Sequence, residues 1–406
     1  MRPINPRAIL LVVHRYAGLG MAAFLIVAGL TGSLLAWNDE LERLISPDLF
    51  LAPVPADAAP LDPLELRAVV LQAYPSARAA YQPLRVEPGY ALQFFLTPGS
   101  DADGKPLPLS DNQVFIHPYT GVILGSRNAN DLWQGRKAFM PFIYRLHYTM
   151  TLGVPGALLF GVVALTWTVD CFIGFYLTLP SRARSGSPKS WFSRWKPAWH
   201  VRRGSGLHKL NFDLHRAGGL WLWLVLFVLA LSSVALSLPV VYQPAIRQLL
   251  AHQPDERSIA RIAQPEWLPP VNWQHARQIG RREMAVRGRE LGFSLGSEEW
   301  MYYDASRGMY RYAVTSSRDI RERYANTTLY IDAFKGEVTG IWFPTGAAAG
   351  DTVTTWLTSL HMATVGGRSY KGVMSLVGLL VSFLSVTGVY LWWKKYRARK
   401  ASRRRV

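Results

Sequence analysis

The stretch Leu207–Leu238 reads LHKLNFDLHRAGGLWLWLVLFVLALSSVALSL, a polar beginning followed by a long apolar run. An α-helix needs about 20 consecutive apolar residues to cross the hydrocarbon core of a bilayer, and this run has roughly that length. The stretch His14–Trp37 reads HRYAGLGMAAFLIVAGLTGSLLAW and has the same arrangement. His215-Arg216 in one stretch corresponds to His14-Arg15 in the other. The two stretches predict membrane-spanning helices that occur in equivalent copies.

Half of the 406 residues are hydrophobic, and they are concentrated in four windows. Each window is long enough to cross a membrane, and Asp170 is the one carboxylate inside any of them. We therefore expect an α-helical membrane protein. The predicted spans are residues 8–37, 139–180, 207–238 and 357–394, separated by a long segment at 38–138, a short loop at 181–206 and a long segment at 239–356, with a tail at 395–406.

The formal net charge of +18 comes from the short flanking segments. Nine basic residues lie between Arg182 and Arg216 with only Asp213 opposing them, three lie at the start of the chain, and eight lie after Trp393. The two long segments are close to balanced in charge. Because positive flanking residues mark the cytoplasmic side, we expect both termini and the short loop to be cytoplasmic and the long segments to be outside. No nucleic-acid partner is expected from this distribution.

Three separate patches in the first half of the chain match patches in the second half at nearly the same sequence offset. VFIHPYTGVILG, from Val114, aligns without gaps with LYIDAFKGEVTG, from Leu329, at an offset of 215 residues. Leu-His and Gly-x-Tyr-Leu motifs recur at an offset of 214, the latter at Gly174 and Gly388. A shared offset indicates a parallel internal duplication. We expect a four-helix transmembrane bundle and two small α+β domains outside it.

Each long segment has the pattern expected of a small α+β domain. In the first, Leu64–Ala73 predicts a short helix, and alternating apolar residues around Tyr119-Thr120-Gly121 predict a β-hairpin. In the second, a helix is expected at Trp273–Met284 and is followed by strand-like runs.

A histidine lies near one end of each predicted span. With the predicted topology, His14 and His215 are near the cytoplasmic ends of their helices, while His147 and His361 are near the outer ends. The duplication relates the members of each pair. Two imidazoles facing each other across a bundle suit the axial positions of a b-type haem, so the sequence predicts two such haems.

Other interpretations of these residues remain open at this stage. A zinc or non-haem iron site needs three or four protein ligands, and no carboxylate or cysteine is expected beside either pair. His208, two helical turns before His215, is a rival cytoplasmic ligand, and a methionine lies close to each outer histidine. We expect glycines to leave room for a macrocycle and the arginines that follow His14 and His215 to pair with its propionates. These predicted residues are Gly18, Gly219, Arg15 and Arg216, with Met150 and Met362 as alternative ligands.

The second span is too long for a straight helix across the bilayer. From His147 to Leu179 is 32 residues, or about 48 Å if helical throughout. Gly153, with Pro155 close behind, and Gly366-Gly367 in the other half are break signals that follow the histidines. They predict a kink or an outward extension after each outer histidine.

The combination of a His-Arg opening, an outer turn with Gly-x-Val, a Leu-His pair and a span ending in Gly-x-Tyr-Leu resembles the PepSY-associated transmembrane family of iron-regulated bacterial inner-membrane proteins. The resemblance extends from His14 to about Trp393. Within the family the sequence looks most like the FoxB-type ferrisiderophore reductases. It implies PepSY-like folds in the two periplasmic segments and places the membrane-histidine motifs at His14, His215, His147 and His361.

The resemblance implies transmembrane electron transfer that reduces a periplasmic ferric siderophore and releases iron(II). No flavin or dinucleotide fingerprint is present, so the electron donor would be a separate cytoplasmic reductant or membrane quinol. Two other functions remain open: a non-redox accessory or permease-like protein for siderophore uptake, and a di-haem carrier to a partner protein. A homodimer is compatible with the sequence.

Overall fold

A computed structural model describes residues 5–181, 190–204, 206–324 and 326–403. Parts of the predicted basic loop and tail, residues 182–189, 205 and 404–406, lie outside the described residues. The helices in chain order are α1 (Pro6–Leu35), α2 (Asn38–Ile45), α3 (Pro47–Phe50), α4 (Pro63–Ala73), α5 (Phe139–Thr149), α6 (Gly153–Thr178), α7 (Trp191–Trp195), α8 (Leu207–Trp221), α9 (Trp223–Ser237), α10 (Pro239–Leu249), α11 (Trp273–Leu291), α12 (Ala349–His361) and α13 (Gly367–Arg403).

The strands all lie in the two long segments that connect membrane helices. They are β1 (Ala77–Arg78), β2 (Tyr81–Pro83), β3 (Leu92–Phe95), β4 (Thr97–Pro98), β5 (Gln113–Ile116), β6 (Ile123–Arg127), β7 (Leu295–Asp304), β8 (Met309–Ser316), β9 (Thr327–Asp332) and β10 (Val338–Trp342).

Three helices, α1, α6 and α13, are long and apolar enough to cross a membrane. Helices α8 and α9 reach that length only together, and they are bent by 70° around Leu222. The structure thus differs from the single continuous helix predicted at 207–238. The bend follows a Gly-Gly pair of weak helix propensity, and the Trp223 indole N–H donates to the Cys171 carbonyl of α6 at 2.9 Å. The half-buried indole finds its acceptor there, and this contact holds the start of α9 against α6.

The helical conformation is interrupted after both of the predicted outer histidines. Met150 and Thr151 adopt positive φ between α5 and α6, and Ala363, Gly366 and Gly367 do so between α12 and α13. The predicted spans 139–180 and 357–394 are therefore each built from two helices. Helix α13 also continues through the predicted tail to residue 403, because Lys and Arg are good helix formers.

The two ends of the membrane helices differ in composition. We call the end where α1 begins and α6 ends the basic end. There Arg7, at the start of α1, donates to the Leu177 carbonyl near the end of α6 at 2.7 Å. The opposite end, which we call the strand end, connects to the β-strands. Helix α1 packs against α13 and α6, α6 against α9, and α8 against α13. The membrane helices therefore form one packed group with a chemically distinct surface at each end.

The two long segments share one β-sheet. Strands β10, β9, β8 and β7 of the second segment form an antiparallel sheet, and β2 of the first segment extends it by pairing with β7. A separate three-stranded sheet, β3-β5-β6, contains the hairpin predicted around Tyr119-Thr120-Gly121. The segments were predicted as two separate α+β domains, but the β2–β7 pairing joins them through backbone hydrogen bonds.

Helix α11 is held to the shared sheet by charged hydrogen bonds. Arg277 and Arg281 of α11 donate to Glu298 of β7 at 2.5–3.2 Å, and the Tyr312 hydroxyl also donates to it at 2.9 Å. Burial alone would raise the pKa of Glu298, but these hydrogen bonds outweigh it and lower the pKa to about 2. The carboxylate therefore stays ionised across the physiological pH range.

Candidate metal-binding sites

The first imidazole pair lies near the basic end of the membrane helices. His14 is in the third turn of α1 and His215 in the third turn of α8. Their ring centres are 6.2 Å apart and their planes are inclined by 55°. The structure thus brings together two residues that are 201 positions apart in sequence.

The second pair lies near the strand end. His147 is in the last turn of α5 and His361 is the last residue of α12, so each lies just before the interruption between two helices. The ring centres are again 6.2 Å apart, with an interplanar angle of 64°. His147 bonds to Thr31 of α1, which is 17 residues beyond His14, or about 26 Å along the helix. The two pairs therefore lie at different depths.

The spacing within each pair matches that of two imidazoles on one metal ion. A first-row metal binds an imidazole nitrogen at about 2.0–2.1 Å, and the ring centre lies roughly 1.1 Å behind that nitrogen. Two imidazoles on opposite sides of the metal then have ring centres about 6.3 Å apart. A direct nitrogen-to-nitrogen hydrogen bond of about 2.9 Å would bring the centres to roughly 5 Å. The observed 6.2 Å agrees with the metal-bridged spacing.

Hydrogen bonds set the tautomer of the second pair. The Thr31 hydroxyl donates to the Val27 carbonyl at 2.6 Å, so its oxygen accepts from His147 Nδ1 at 3.0 Å. Ser232 likewise donates to a helix carbonyl and accepts from His361 Nδ1 at 2.9 Å. Because Nδ1 carries the hydrogen in both rings, Nε2 keeps the lone pair that a metal needs.

The first pair has the same tautomer but different acceptors. His215 Nδ1 donates to the Leu384 carbonyl and to Thr387 Oγ1, both at 3.1 Å. His14 Nδ1 donates to the Asp170 carboxylate, with its oxygens at 2.9 and 3.0 Å. The expectation that no carboxylate lies beside either pair is therefore wrong. The signal in the sequence was that Asp170 is the one carboxylate inside the four apolar windows.

Glycines leave space around the imidazoles. A Cβ atom on Gly18 or Gly219 would meet no atom of the described residues within 4 Å. Three other glycines face the rings directly: a Cβ on Gly174 would lie 3.5 Å from His14 Cε1, one on Gly388 3.2 Å from His215 Cε1, and one on Gly32 3.0 Å from His147 Cε1. Two of them, Gly174 and Gly388, belong to the repeated Gly-x-Tyr-Leu motifs. They allow close approach of the ligand-bearing helices.

The predicted arginines and the alternative ligands lie outside the two ring-to-ring contacts of the histidine pairs. Arg216 donates to the Asp213 carboxylate at 3.0 Å and to the Pro197 carbonyl at 2.7 Å, and Arg15 is half-buried. His208 is exposed on α8, and Met362 is half-exposed just beyond His361. None of these four side chains, all in the described part of the chain, takes part in a ring contact of either pair.

One arginine that was not predicted lies beside the second pair. Arg321, in the loop between β8 and β9, donates to Ser359 Oγ at 2.9 Å and to Thr358 Oγ1 at 3.0 Å, two and three residues before His361. Burial lowers the pKa of its guanidinium. The loop thus brings a positive charge to the strand end of this site.

The donor set fits a macrocycle-bound metal. In the described part of the chain, no three His, Cys, Asp or Glu side chains converge as a metal cluster. Each pair supplies only two nitrogen ligands, which is the number that an iron porphyrin leaves for the protein. The residues that would hold such a group are His14 with His215 and His147 with His361.

Together these features define a helical membrane protein with strands at one end and two imidazole pairs among its helices. The sequence profile of the PepSY-associated TM region matches residues 11–395, nearly the whole chain. The chain therefore belongs to the PepSY-associated transmembrane family. No curated protein sequence matches it.

Proposed function

We propose that the protein is a di-haem b-type cytochrome of the bacterial inner membrane that passes electrons across the membrane to a periplasmic ferric siderophore. The observation that carries this proposal is the pair of 6.2 Å imidazole spacings, each with Nδ1–H bonded to the protein. Both features are what axial ligation requires and neither is needed by an interfacial histidine. Bound haems would supply one-electron redox chemistry.

We further propose that the membrane helices form a four-span bundle that arose by duplication. Equivalent residues make equivalent contacts, which supports this proposal. Thr31 and Ser232, 201 residues apart like His14 and His215, accept from the second pair of histidines. Gly174 and Gly388, 214 residues apart, face the first pair. Matching contacts at matching offsets are expected if two copies of one unit pack around a shared axis.

The proposed topology has the basic end in the cytoplasm and the strand end in the periplasm. The support is the concentration of Lys and Arg at the ends of α1, α6, α8 and α13 that meet at the basic end. In this orientation His14 and His215 lie near the cytoplasm and His147 and His361 near the periplasm. Arg321 then lies on the periplasmic side, where its charge suits a haem propionate.

The proposed substrate is a ferric siderophore, as in the FoxB-type reductases that the sequence resembles. One electron converts the chelated iron(III) to iron(II), which hard oxygen donors hold less tightly, so the chelate releases its metal. The electron would come from a cytoplasmic reductant or from membrane quinol. The chain's own residues contribute ligation, burial and the spacing of the two sites.

The test is an absorption spectrum and a pyridine haemochrome count on the purified full-length protein. We expect two haems per chain, and one haem after each of the substitutions His14→Ala, His215→Ala, His147→Ala and His361→Ala. His208→Ala is the matched control, because His208 is exposed on the same helix as His215 and should leave both haems in place. A wild-type protein without a Soret band after haem supplementation refutes the proposal.

Reduction of a panel of ferric chelates separates a reductase from a carrier. The dithionite-reduced protein is mixed with ferric hydroxamate, catecholate and citrate chelates, and reoxidation is followed at the haem bands. We expect the rates to differ between chelates. Equal rates for all of them would indicate a carrier that serves a protein partner, and the reductase assignment would then fail while the di-haem assignment stood.

A further inference from the structure

The four imidazoles differ in what accepts their Nδ1–H. His147 and His361 donate to hydroxyl oxygens, and His215 donates to a carbonyl and a hydroxyl. His14 alone donates to a carboxylate, that of Asp170. The first pair is therefore unsymmetrical, whereas the second has neutral acceptors on both sides.

Asp170 is buried and directs both carboxylate oxygens to His14. Its residue is 7% exposed, it lies within α6, and both of its oxygens are within 3.0 Å of His14 Nδ1. Among the described residues, its one ion-pair partner is His14. A carboxylate inside a membrane helix is costly unless it serves a partner, so its retention here points to a role at His14.

The equivalent position in the second half of the chain carries no carboxylate. The residue 214 positions after Asp170 is Leu384, and only its backbone carbonyl reaches His215. Hydrogen bonds to a charged acceptor are roughly twice as strong as those between neutral groups. A carboxylate that accepts the N–H of a ligating imidazole also raises the basicity of that ligand.

From this asymmetry, and resting on the proposed function, we infer that Asp170 is a positioning residue that makes His14 the most strongly donating of the four imidazoles. A more strongly donating axial ligand favours the oxidised metal. The haem held by His14 and His215 then has a lower reduction potential than the one held by His147 and His361. Hydrogen bonding to axial ligands is a recognised means of setting this potential.

The experiment is a redox titration of the full-length protein, followed at the haem absorption bands, with haem content measured on the same sample. We expect two one-electron transitions in the wild type. In Asp170→Asn the amide oxygen keeps an acceptor for His14 but the charge is gone. The lower potential should therefore rise while the higher one stays unchanged, with two haems retained.

Thr387→Val is the matched control, because it removes one neutral acceptor from the other imidazole of the same pair and leaves the Leu384 carbonyl. We expect a smaller shift than in Asp170→Asn. The inference is overturned if Asp170→Asn leaves both potentials unchanged, if it moves the higher one, or if Thr387→Val shifts the lower one as much.

Loss of a haem in Asp170→Asn would be resolved by Asp170→Glu. Recovery of two haems and of a low potential in the glutamate variant supports the positioning role, and failure to recover them overturns it. The failure of the proposed function is distinguishable, because it shows as a wild-type protein without haem rather than as a haem protein with unshifted potentials.

Discussion

The glycines that face the imidazoles predict a graded response to one added methyl group. Carbon atoms pack best at about 3.5–4.0 Å. A Cβ at Gly32 would lie 3.0 Å from His147 Cε1, so the ring would have to move by about half an ångström or more. At Gly388 the corresponding distance to His215 is 3.2 Å, and at Gly174 the distance to His14 is an ordinary 3.5 Å.

The expected cost follows from these distances. Overpacking typically costs about 1–3 kcal/mol, and about 1.4 kcal/mol corresponds to a tenfold change in affinity. Gly32→Ala should therefore weaken haem binding by roughly 5- to 150-fold, Gly388→Ala less, and Gly174→Ala little. Alanine has a helix propensity about 1 kcal/mol better than glycine, so any loss is due to the contact with the ring and not to the helix.

The assay is the rate and extent of haem transfer from each purified variant to apomyoglobin, with helix content checked by circular dichroism. Gly174→Ala is the internal control, since it adds the same methyl group at a ring-facing position without a short contact. Full haem retention in Gly32→Ala, or greater loss in Gly174→Ala than in Gly32→Ala, would refute the reasoning.

Three further predictions concern hydrogen bonds and buried charge. The pKa of Glu298 is lowered, so its contribution to stability is present above the ordinary pKa near 4.5 and is lost as pH falls toward 2. Glu298→Gln should therefore cost about 3 kcal/mol at pH 7 and about 1–2 kcal/mol at pH 3, measured by urea unfolding at both pH values. Glu42 forms a two-bond ion pair with the buried Arg127, at 2.7 and 2.8 Å, and Glu42→Ala should lower the free energy of unfolding by about 3–5 kcal/mol; a loss under 1 kcal/mol in the same assay would contradict this. Thr31→Val and Ser232→Ala each remove the hydroxyl acceptor of an Nδ1–H in the second pair but leave a backbone carbonyl, of Ala28 or Leu229, at the ring. Each should weaken retention of the haem at that pair by about 10-fold, with the first pair unaffected.

Repeats in the sequence were sufficient to predict which histidines pair. His14 and His215 occur in equivalent motifs, as do His147 and His361, and a bilayer of known thickness limits where each can lie. The breaks after the second pair were also predicted, since glycine and proline act on the local backbone. The membrane class and the family follow from the same local patterns.

What lies beside each histidine could not be predicted from the sequence. Asp170 is 156 residues from His14, and only the packing of α6 against α1 brings them together. The same holds for Thr31 at His147 and for Arg321 near His361.

The sequence by itself predicted the long apolar segments, the breaks after His147 and His361, and the repeated histidine motifs, because these depend on local composition, backbone preference and repeat spacing. The tertiary structure decided the bend at Leu222, the pairing of β2 with β7 and the acceptor of every Nδ1–H. These features depend on side chains and strands from distant parts of the chain meeting in one place, and no local pattern encodes that meeting.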